Sequence, residues 1–304
     1  MTAESFESKG FETRAIHAGQ APDPVTGAVV PPVSFSTTFV QEAPGENRGY
    51  LYSRNGNPTR RALEACLASL EGAAHGFAFA SGLAAEDAVL RVVGPGGHVI
   101  IPADAYGGTF RLVDQVWGSM GLAYTEVDLT SPDAVADALR PETRLVWVES
   151  PSNPSLSIVD IAAVAAITRA RDIGLVVDNT FASPYLQQPL ALGADIVVHS
   201  STKYIGGHSD VVGGFVATNG GEARLRAEGR GRRAGAVRLL PAAARSEDAR
   251  SPDGPSLCQC LGRRRASPPT RSWSPFSTRA FAAIRATSWP RGRCGPSAES
   301  SRSS

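Results

Sequence analysis

Residues 194–207 read ADIVVHSSTKYIGG, and this stretch decides the fold class. The apolar run Ile196 to Val198 is followed by His199, by the hydroxylated residues 200–202, by Lys203 and, after two more residues, by two glycines. A short β-branched run that ends in such residues indicates a buried strand. Lys203 is one of only two lysines among 30 basic residues, the other being Lys9. A lysine kept for solubility would lie among other charges, so Lys203 is expected at the end of a buried strand.

Further strand and helix candidates alternate along residues 60–200. The candidate strands are 76–80, 98–103, 144–150, 175–181 and 194–200. The candidate helices are 60–73, 81–93 and 161–174, the last closed by Gly174. Strand, helix and strand repeated with short links are typical of a mainly parallel sheet flanked by helices. The predicted fold class is therefore α/β, with residues 60–221 as one large domain.

Composition limits the class of protein. The 304 residues are 42% hydrophobic and carry a net charge of +1, which allows a sizeable core and argues against nucleic acid as the partner of the whole chain. Residues 1–16 contain no apolar signal core, and no apolar run is long enough to cross a membrane. The expectation is a soluble cytoplasmic protein without a membrane partner.

The last part of the chain differs in composition from the rest. Residues 222–304 contain 17 of the 28 arginines and are rich in Ser, Pro and Ala. Large aliphatic residues are few there and follow no helical or strand period. Such a segment cannot bury enough apolar surface to offset chain entropy, so it is expected to be disordered.

Polar residues follow each candidate strand and are expected to meet at one edge of the sheet, where α/β sheets bind ligands. These residues are Ser81-Gly82, Asp104 to Tyr106, Glu149 to Asn153, Asp178-Asn179 and Ser200 to Lys203. There is no phosphate-binding P-loop and no G-x-G-x-x-G after the first strand, so a nucleotide is not the obvious ligand. His199 and His208 lack metal-ligand spacing, and no metal is expected.

Lys203 could serve as a general base, a phosphate clamp or a Schiff-base nucleophile, or it could simply form an ion pair. Ser81-Gly82 opens a helix whose N–H groups favour a phosphate, although it could be a plain helix cap. Asp178 ends an apolar strand and needs a cationic partner, for which a protonated pyridine nitrogen is suitable. Tyr106 can stack on a ring or pack in its loop. Together these groups are what pyridoxal phosphate requires.

Several motifs then show a resemblance to a known family. They are YSRNGNPTR (52–60), ASGLAA (80–85), DAYGGTFR (104–111), ESPSNP (149–154), VVDNTFASPYLQQPL (176–190) and HSSTKYIGGHSDVVGG (199–214). The chain resembles the cystathionine γ-synthase family, the Cys/Met-metabolism group of fold-type I pyridoxal-phosphate enzymes, from about Thr13 to Asn219. The resemblance implies the large domain of a fold-type I transferase.

The resemblance also implies a role for each matching residue. Lys203 is the covalent attachment point of the cofactor and the proton shuttle, Asp178 pairs with the pyridine nitrogen, and Tyr106 stacks on the ring and contacts substrate. Asn153 lies near the ring oxygen and the substrate carboxylate. The residues expected to hold the phosphate are Ser81, Gly82, Leu83, Ser200 and Thr202, with Tyr52 and Arg54 reaching the neighbouring subunit's phosphate. Residues 1–59 would then be an arm that makes inter-subunit cofactor contacts in a dimer or tetramer.

The implied activity is the joining of cysteine to an O-acylated homoserine by γ-replacement, giving cystathionine. Cystathionine γ-lyase, homoserine sulfhydrylase and methionine γ-lyase share the same motifs, and a catalytically dead cofactor-binding remnant is the alternative from another class. The acyl group of the homoserine is left open.

The family continues with a small C-terminal domain that nothing in 222–304 resembles. A reading-frame slip explains this segment better than an evolved basic RNA-binding arm, because a one-nucleotide displacement can turn residues 231–248 into family-like sequence. An impaired enzyme is therefore the expectation for this chain.

Overall fold

A computed structural model describes residues 9–220 of the chain. The Arg-rich segment from 222 onward lies outside the described residues, and so does the region to which the frame-slip hypothesis applies. The helices are α1 (Phe11–His17), α2 (Pro58–Glu71), α3 (Gly82–Val93), α4 (Gly107–Arg111), α5 (Pro132–Ala138), α6 (Ile161–Arg169) and α7 (Ser183–Leu186). A π-helix (Leu112–Trp117) and two 3-10 helices (Gly118–Met120 and Pro189–Leu192) complete them. The strands are β1 (Gln41–Ala43), β2 (Glu46–Asn47), β3 (His75–Phe79), β4 (His98–Pro102), β5 (Ala123–Val127), β6 (Thr143–Glu149), β7 (Gly174–Asp178), β8 (Ile196–His199) and β9 (Gly214–Thr218). Within the described residues, no helix is long and apolar enough to cross a membrane.

The seven-stranded sheet has the order β3-β9-β8-β7-β6-β4-β5. The five central and edge strands from β8 to β5 run parallel, and β9 pairs antiparallel with both β3 and β8. The predicted mainly parallel α/β sheet is confirmed. Two of its strands, β5 and β9, were not predicted. The strand β5 is a short edge strand with exposed residues, and β9 begins at a glycine pair that reads as a loop.

Both faces of the sheet are covered, which explains why the strands are almost continuously apolar. Alternate residues of one strand point to opposite faces. In β6, Leu145 and Trp147 join the core beneath α3, whereas Val146 and Val148 join the core beneath α5 and α6. A third cluster packs α2 against β8 and β9.

The helices adjoining the site are capped by the residues that their sequence suggests. The Asn57 side chain accepts hydrogen bonds from the N–H groups of Thr59 (3.0 Å) and Arg60 (3.3 Å), Pro58 follows it, and α2 ends at Gly72 with φ 68°. One boundary prediction was wrong. Gly174 does not close α6, which ends at Arg169; it is instead the first residue of β7.

The arm before α2 is fastened to the start of that helix. Asn57 donates from Nδ2 to the Ser34 carbonyl (3.1 Å), and Arg60 donates to the carbonyls of Ser53 (2.9 Å) and Arg54 (3.3 Å). The Arg60 guanidinium is buried. These contacts hold the 52–57 segment in place while its outward side chains stay exposed.

Candidate active site

Parallel strand register brings the predicted residues to one edge of the sheet. Glu149 at the end of β6 lies opposite Asp178 at the end of β7, and Asp178 lies opposite Val198 in β8. The carboxyl ends of neighbouring parallel strands meet at one edge, where α/β sheets place ligands. The candidate site is therefore the edge formed by the segments that follow β3, β4, β6, β7 and β8.

A chain of hydrogen bonds joins the residues after β7 to those after β8. The Thr180 N–H donates to Asp178 Oδ1 (2.9 Å), and the Ser200 N–H donates to Thr180 Oγ1 (2.8 Å). A turn follows in which the Lys203 N–H donates to the Ser200 carbonyl (3.1 Å) and the Gly207 N–H donates to the Lys203 carbonyl (2.8 Å). The Lys203 side chain is exposed. Its backbone is thus fixed relative to Asp178, while its ammonium group stays accessible.

The start of α3 packs directly against the end of β8. A Cβ at Gly82 would lie 2.9 Å from Ser200 Cβ and 3.0 Å from Ser200 Oγ, so only glycine fits there. Ser81 caps the helix, because its Oγ accepts from the Ala84 N–H (3.1 Å) and its carbonyl accepts from the Ala85 N–H (3.1 Å). The N–H groups of Gly82 and Leu83 then remain for an anion, beside the Ser200 hydroxyl.

We expect Gly82→Ala to weaken binding of a phosphate-bearing cofactor about tenfold or more, because the methyl group must push α3 away from β8. Gly118→Ala is the matched control, since its Cβ would meet no atom closer than 3.4 Å and its φ is −58°. Fluorescence titration with pyridoxal phosphate measures the effect. Equal affinities in the two variants would contradict the role of this contact.

Tyr106 precedes α4, and its ring covers Gly108. A Cβ at Gly108 would lie 2.3 Å from Tyr106 Cε1, so this glycine is required for the ring to take its position. The Tyr106 side chain is 41% exposed. One part of the ring is therefore backed by the main chain while the rest remains available to stack on a planar ligand.

Glu149 holds Tyr106 and Asn153 in a common frame. Its Oε2 accepts from the Tyr106 N–H (2.8 Å), and its Oε1 accepts from the Asn153 N–H (3.0 Å). Burial, followed by the charge of Asp178, raises the pKa of Glu149 to about 7, although both N–H donors oppose the rise. The sequence predicts Glu149 at the sheet edge but indicates no role for it. Its position as the last residue of a buried strand was the only signal.

Asp178 is the buried acid that the sequence predicted. It is 8% exposed, and burial raises the pKa of its carboxyl group, while the Thr180 donors and the nearby His199 ring oppose this rise. A buried carboxylate of this kind is stabilised by a cation at its open side. Since Asp178, the exposed Lys203, the Tyr106 ring and the Gly82–Ser200 contact share one edge, the residues present fit a phosphorylated pyridinium aldehyde.

Two of the predicted phosphate ligands, Thr202 and Leu83, differ in how their side chains are placed. The Thr202 hydroxyl donates to the Gly213 carbonyl (3.1 Å) and accepts from the Gly213 N–H (3.1 Å), so it fastens the turn before Lys203. Its role toward a phosphate stays a prediction, since the proton would have to change acceptor. The Leu83 side chain is partly exposed, and only its main chain is suited to the predicted contact.

Tyr52 and Arg54 lie on the arm rather than at the end of a sheet strand. The Arg54 guanidinium carbon lies 5.1 Å from the centre of the Tyr52 ring. The backbone of Tyr52 forms an isolated antiparallel β-bridge with Thr38. Their predicted contact with a neighbouring subunit's cofactor stays a prediction.

Known proteins with similar sequences and structures share this arrangement of elements. Residues 12–244 match the sequence profile of the Cys/Met metabolism PLP-dependent enzymes. The chain is 59% identical to cystathionine γ-synthase of Mycobacterium tuberculosis over 212 residues, which is 69% of this chain and 55% of that protein. It is 51% identical to cystathionine β-lyase of Coxiella burnetii over 215 residues, covering 70% of this chain and 56% of the other. The β-lyase activity was not among those that the sequence analysis considered.

Solved structures give the same result. The crystal structure of metB from Corynebacterium glutamicum has a TM-score of 0.78 and 46% identity, covering 86% of this chain and 66% of that one. Cystathionine γ-lyase from Lactobacillus plantarum, complexed with L-serine, has a TM-score of 0.77 and 41% identity, covering 84% and 65%. The chain spans about half the length of the curated relatives it matches first. The sheet edge, its residues and these similarities together show that the chain belongs to the Cys/Met metabolism family of pyridoxal-phosphate-dependent enzymes.

Proposed function

We propose that this protein is a pyridoxal-phosphate-dependent carbon–sulfur enzyme that joins cysteine to an O-acylated homoserine, displacing the acyl group at Cγ to give cystathionine. The observation that carries the proposal is the close contact of Gly82 with Ser200. Ser200 lies three residues before Lys203, and two hydrogen bonds through Thr180 connect it to Asp178. The choice of γ-replacement is supported by the 59% identity to a γ-synthase, against 51% to a β-lyase.

The residues of the site divide the work of binding. The Gly82 and Leu83 N–H groups and the Ser200 hydroxyl would hold the phosphate, and Tyr106 would press on one face of the ring. Asp178 would face the pyridine nitrogen and keep its proton in place, since an ionised carboxylate stabilises an adjacent cation. When bound, the cofactor supplies an electron sink for carbanions of the amino-acid substrate.

Lys203 is the residue that would transfer the proton of the substrate C–H bond. Its exposed side chain lies on a turn fixed by backbone hydrogen bonds, so as a neutral amine it would be able to accept a proton from the bound substrate. Asn153, held through its N–H by Glu149, would orient the substrate carboxylate. Fixing both groups sets which C–H bond is presented to the lysine, and such positioning can contribute several kcal/mol, about 7 or more in favourable cases.

Product analysis tests the reaction class. The full chain is incubated with pyridoxal phosphate, O-succinylhomoserine and cysteine, and separately with cystathionine alone. We expect cystathionine from the first mixture, at the low rate of an impaired enzyme. Release of homocysteine and pyruvate from cystathionine would favour a β-lyase, and release of cysteine and 2-oxobutyrate a γ-lyase. Cofactor binding without any turnover would identify a cofactor-binding remnant.

The proposal includes a cytoplasmic homo-oligomer with shared active sites. Tyr52 and Arg54 are exposed on an arm that also exposes apolar Val25, Phe35 and Val40. Exposed apolar side chains on such an arm suit contact with a second copy of the chain. Dimers or tetramers of the full chain are expected in analytical ultracentrifugation.

A further inference from the structure

Glu86 is a buried acid that the proposed function does not use. It lies in the first half of α3, one helical turn beyond Gly82, and is 3% exposed. Its Oε2 atom is fully buried and has no hydrogen-bond partner of normal geometry among residues 9–220, although the Thr109 hydroxyl of α4 is close enough to favour the ionised carboxylate. A buried, unpartnered carboxyl oxygen is costly when ionised.

The charges around Glu86 are acidic. Asp178 acts on it most strongly, followed by Glu149, both from strand ends of the candidate site. Burial first, then these two charges, raise the pKa of Glu86 to about 8, although the Thr109 hydroxyl opposes the rise. A pKa of about 8 means that the Glu86 carboxyl group is mainly protonated at pH 7 while the site is unloaded.

Basic groups on the adjoining elements are engaged or turned to solvent. On α3 itself Arg91 pairs with Asp87 (3.1 Å), and His199 of β8 pairs with Glu71 (2.5 Å). Arg111 of α4 is exposed, and His75 of β3 is half-buried, whereas β9 carries no titratable group. Lys203, on the turn after β8, is exposed, and the charges that shift the pKa of Glu86 are those of Asp178 and Glu149.

We propose that Glu86 is a positioning residue that carries a proton in the unloaded site and releases it to solvent when a cationic ring binds against Asp178. This inference rests on the proposed cofactor binding. A positive charge placed among the three acids favours their ionised forms, so the Glu86 proton leaves and the second carboxylate then helps Asp178 to hold the ring cationic. Glu86 acts through Asp178 and is not a catalytic residue.

Proton release makes cofactor affinity depend on pH. Affinity is expected to rise with pH up to about 8, by at most about tenfold per pH unit from this one proton. Above that pH the unloaded protein has already lost the proton, and the dependence disappears. In the unloaded protein the sign for stability is the reverse. A raised pKa means that stability is lost as pH rises from the value of an unfolded glutamate towards 8.

Isothermal titration calorimetry at pH 7, in buffers of different ionisation enthalpy, tests the proposal on the full chain stripped of cofactor. Pyridoxal phosphate is titrated into the unsubstituted protein, Glu86→Gln and the control Glu126→Gln, which removes an exposed acid on β5. We expect Glu86→Gln to release fewer protons, by up to about one. The control should match the unsubstituted protein. The cofactor's own ionisations are common to all three and cancel in the differences.

Equal proton release in Glu86→Gln and the unsubstituted protein would overturn the proposal. Glu86→Leu provides a second variant that fills the same buried space without a titratable group, and it should show the same loss. Failure of the proposed function is distinguishable, because the unsubstituted protein would then take up no cofactor and develop no visible absorbance. The unloaded Glu86→Gln protein should also gain melting temperature over the unsubstituted one as pH is raised from 6 to 9, and absence of this gain counts against the inference.

Discussion

Lys203→Ala is expected to abolish covalent cofactor attachment and to reduce any turnover by about a hundredfold to ten-thousandfold, the usual contribution of a positioned acid–base group. Lys203 is itself exposed, so its side chain supports no part of the core. The turn itself is held by backbone hydrogen bonds that alanine retains. Loss of function in this variant would therefore be a chemical effect rather than a folding effect.

The measurement combines visible absorbance with borohydride reduction and peptide mass spectrometry. Reduction should fix the cofactor on the peptide that contains Lys203. Lys9→Ala is the matched control, because Lys9 is the only other lysine of the chain, and it should retain the yellow colour. A reducible chromophore that survives in Lys203→Ala would remove the central assignment.

Asp178→Asn should move the unloaded and the loaded protein in opposite directions. Asparagine keeps an oxygen that can accept from the Thr180 N–H, but it removes a buried carboxylate whose pKa is raised by burial. The unloaded variant is therefore expected to match or exceed the unsubstituted protein in stability at pH 7. With cofactor, loss of the charge facing the pyridine nitrogen should cost about 3–5 kcal/mol, which weakens binding on the order of a hundredfold or more.

Thermal unfolding with and without pyridoxal phosphate measures both effects. Asp195→Asn is a suitable control, because Asp195 also accepts a backbone N–H, from Leu175 (2.8 Å), near the opposite edge of the sheet. The control should change the loaded and the unloaded protein alike. A stabilisation by cofactor as large in Asp178→Asn as in the unsubstituted protein would contradict the role assigned to Asp178.

The pattern of apolar residues was sufficient to predict most of the parallel sheet. Runs such as Val146–Val148 are buried on both faces, so they form continuous apolar stretches that can be recognised without knowledge of their neighbours. The unpredicted strands, β5 and β9, have weaker signals. The strand β5 pairs with β4, and β9 pairs with β8 and with β3, which lies more than 130 residues earlier in the sequence.

Among the site residues, the sequence by itself determined those that stand directly after a strand. Lys203, Asp178 and the Ser81-Gly82 start of α3 could be placed on one edge because parallel strands all end there. Only the tertiary structure decided how these groups are held: that Gly82 touches Ser200, that Thr202 bonds Gly213, and that Glu149 joins Tyr106 to Asn153. The acidic surroundings of Glu86, formed by Asp178 and Glu149, are likewise visible only in the tertiary structure. An apolar run is a local property of the sequence. Hydrogen bonds and interactions between charges depend on distances between segments, and the order of the strands in the sheet sets these distances.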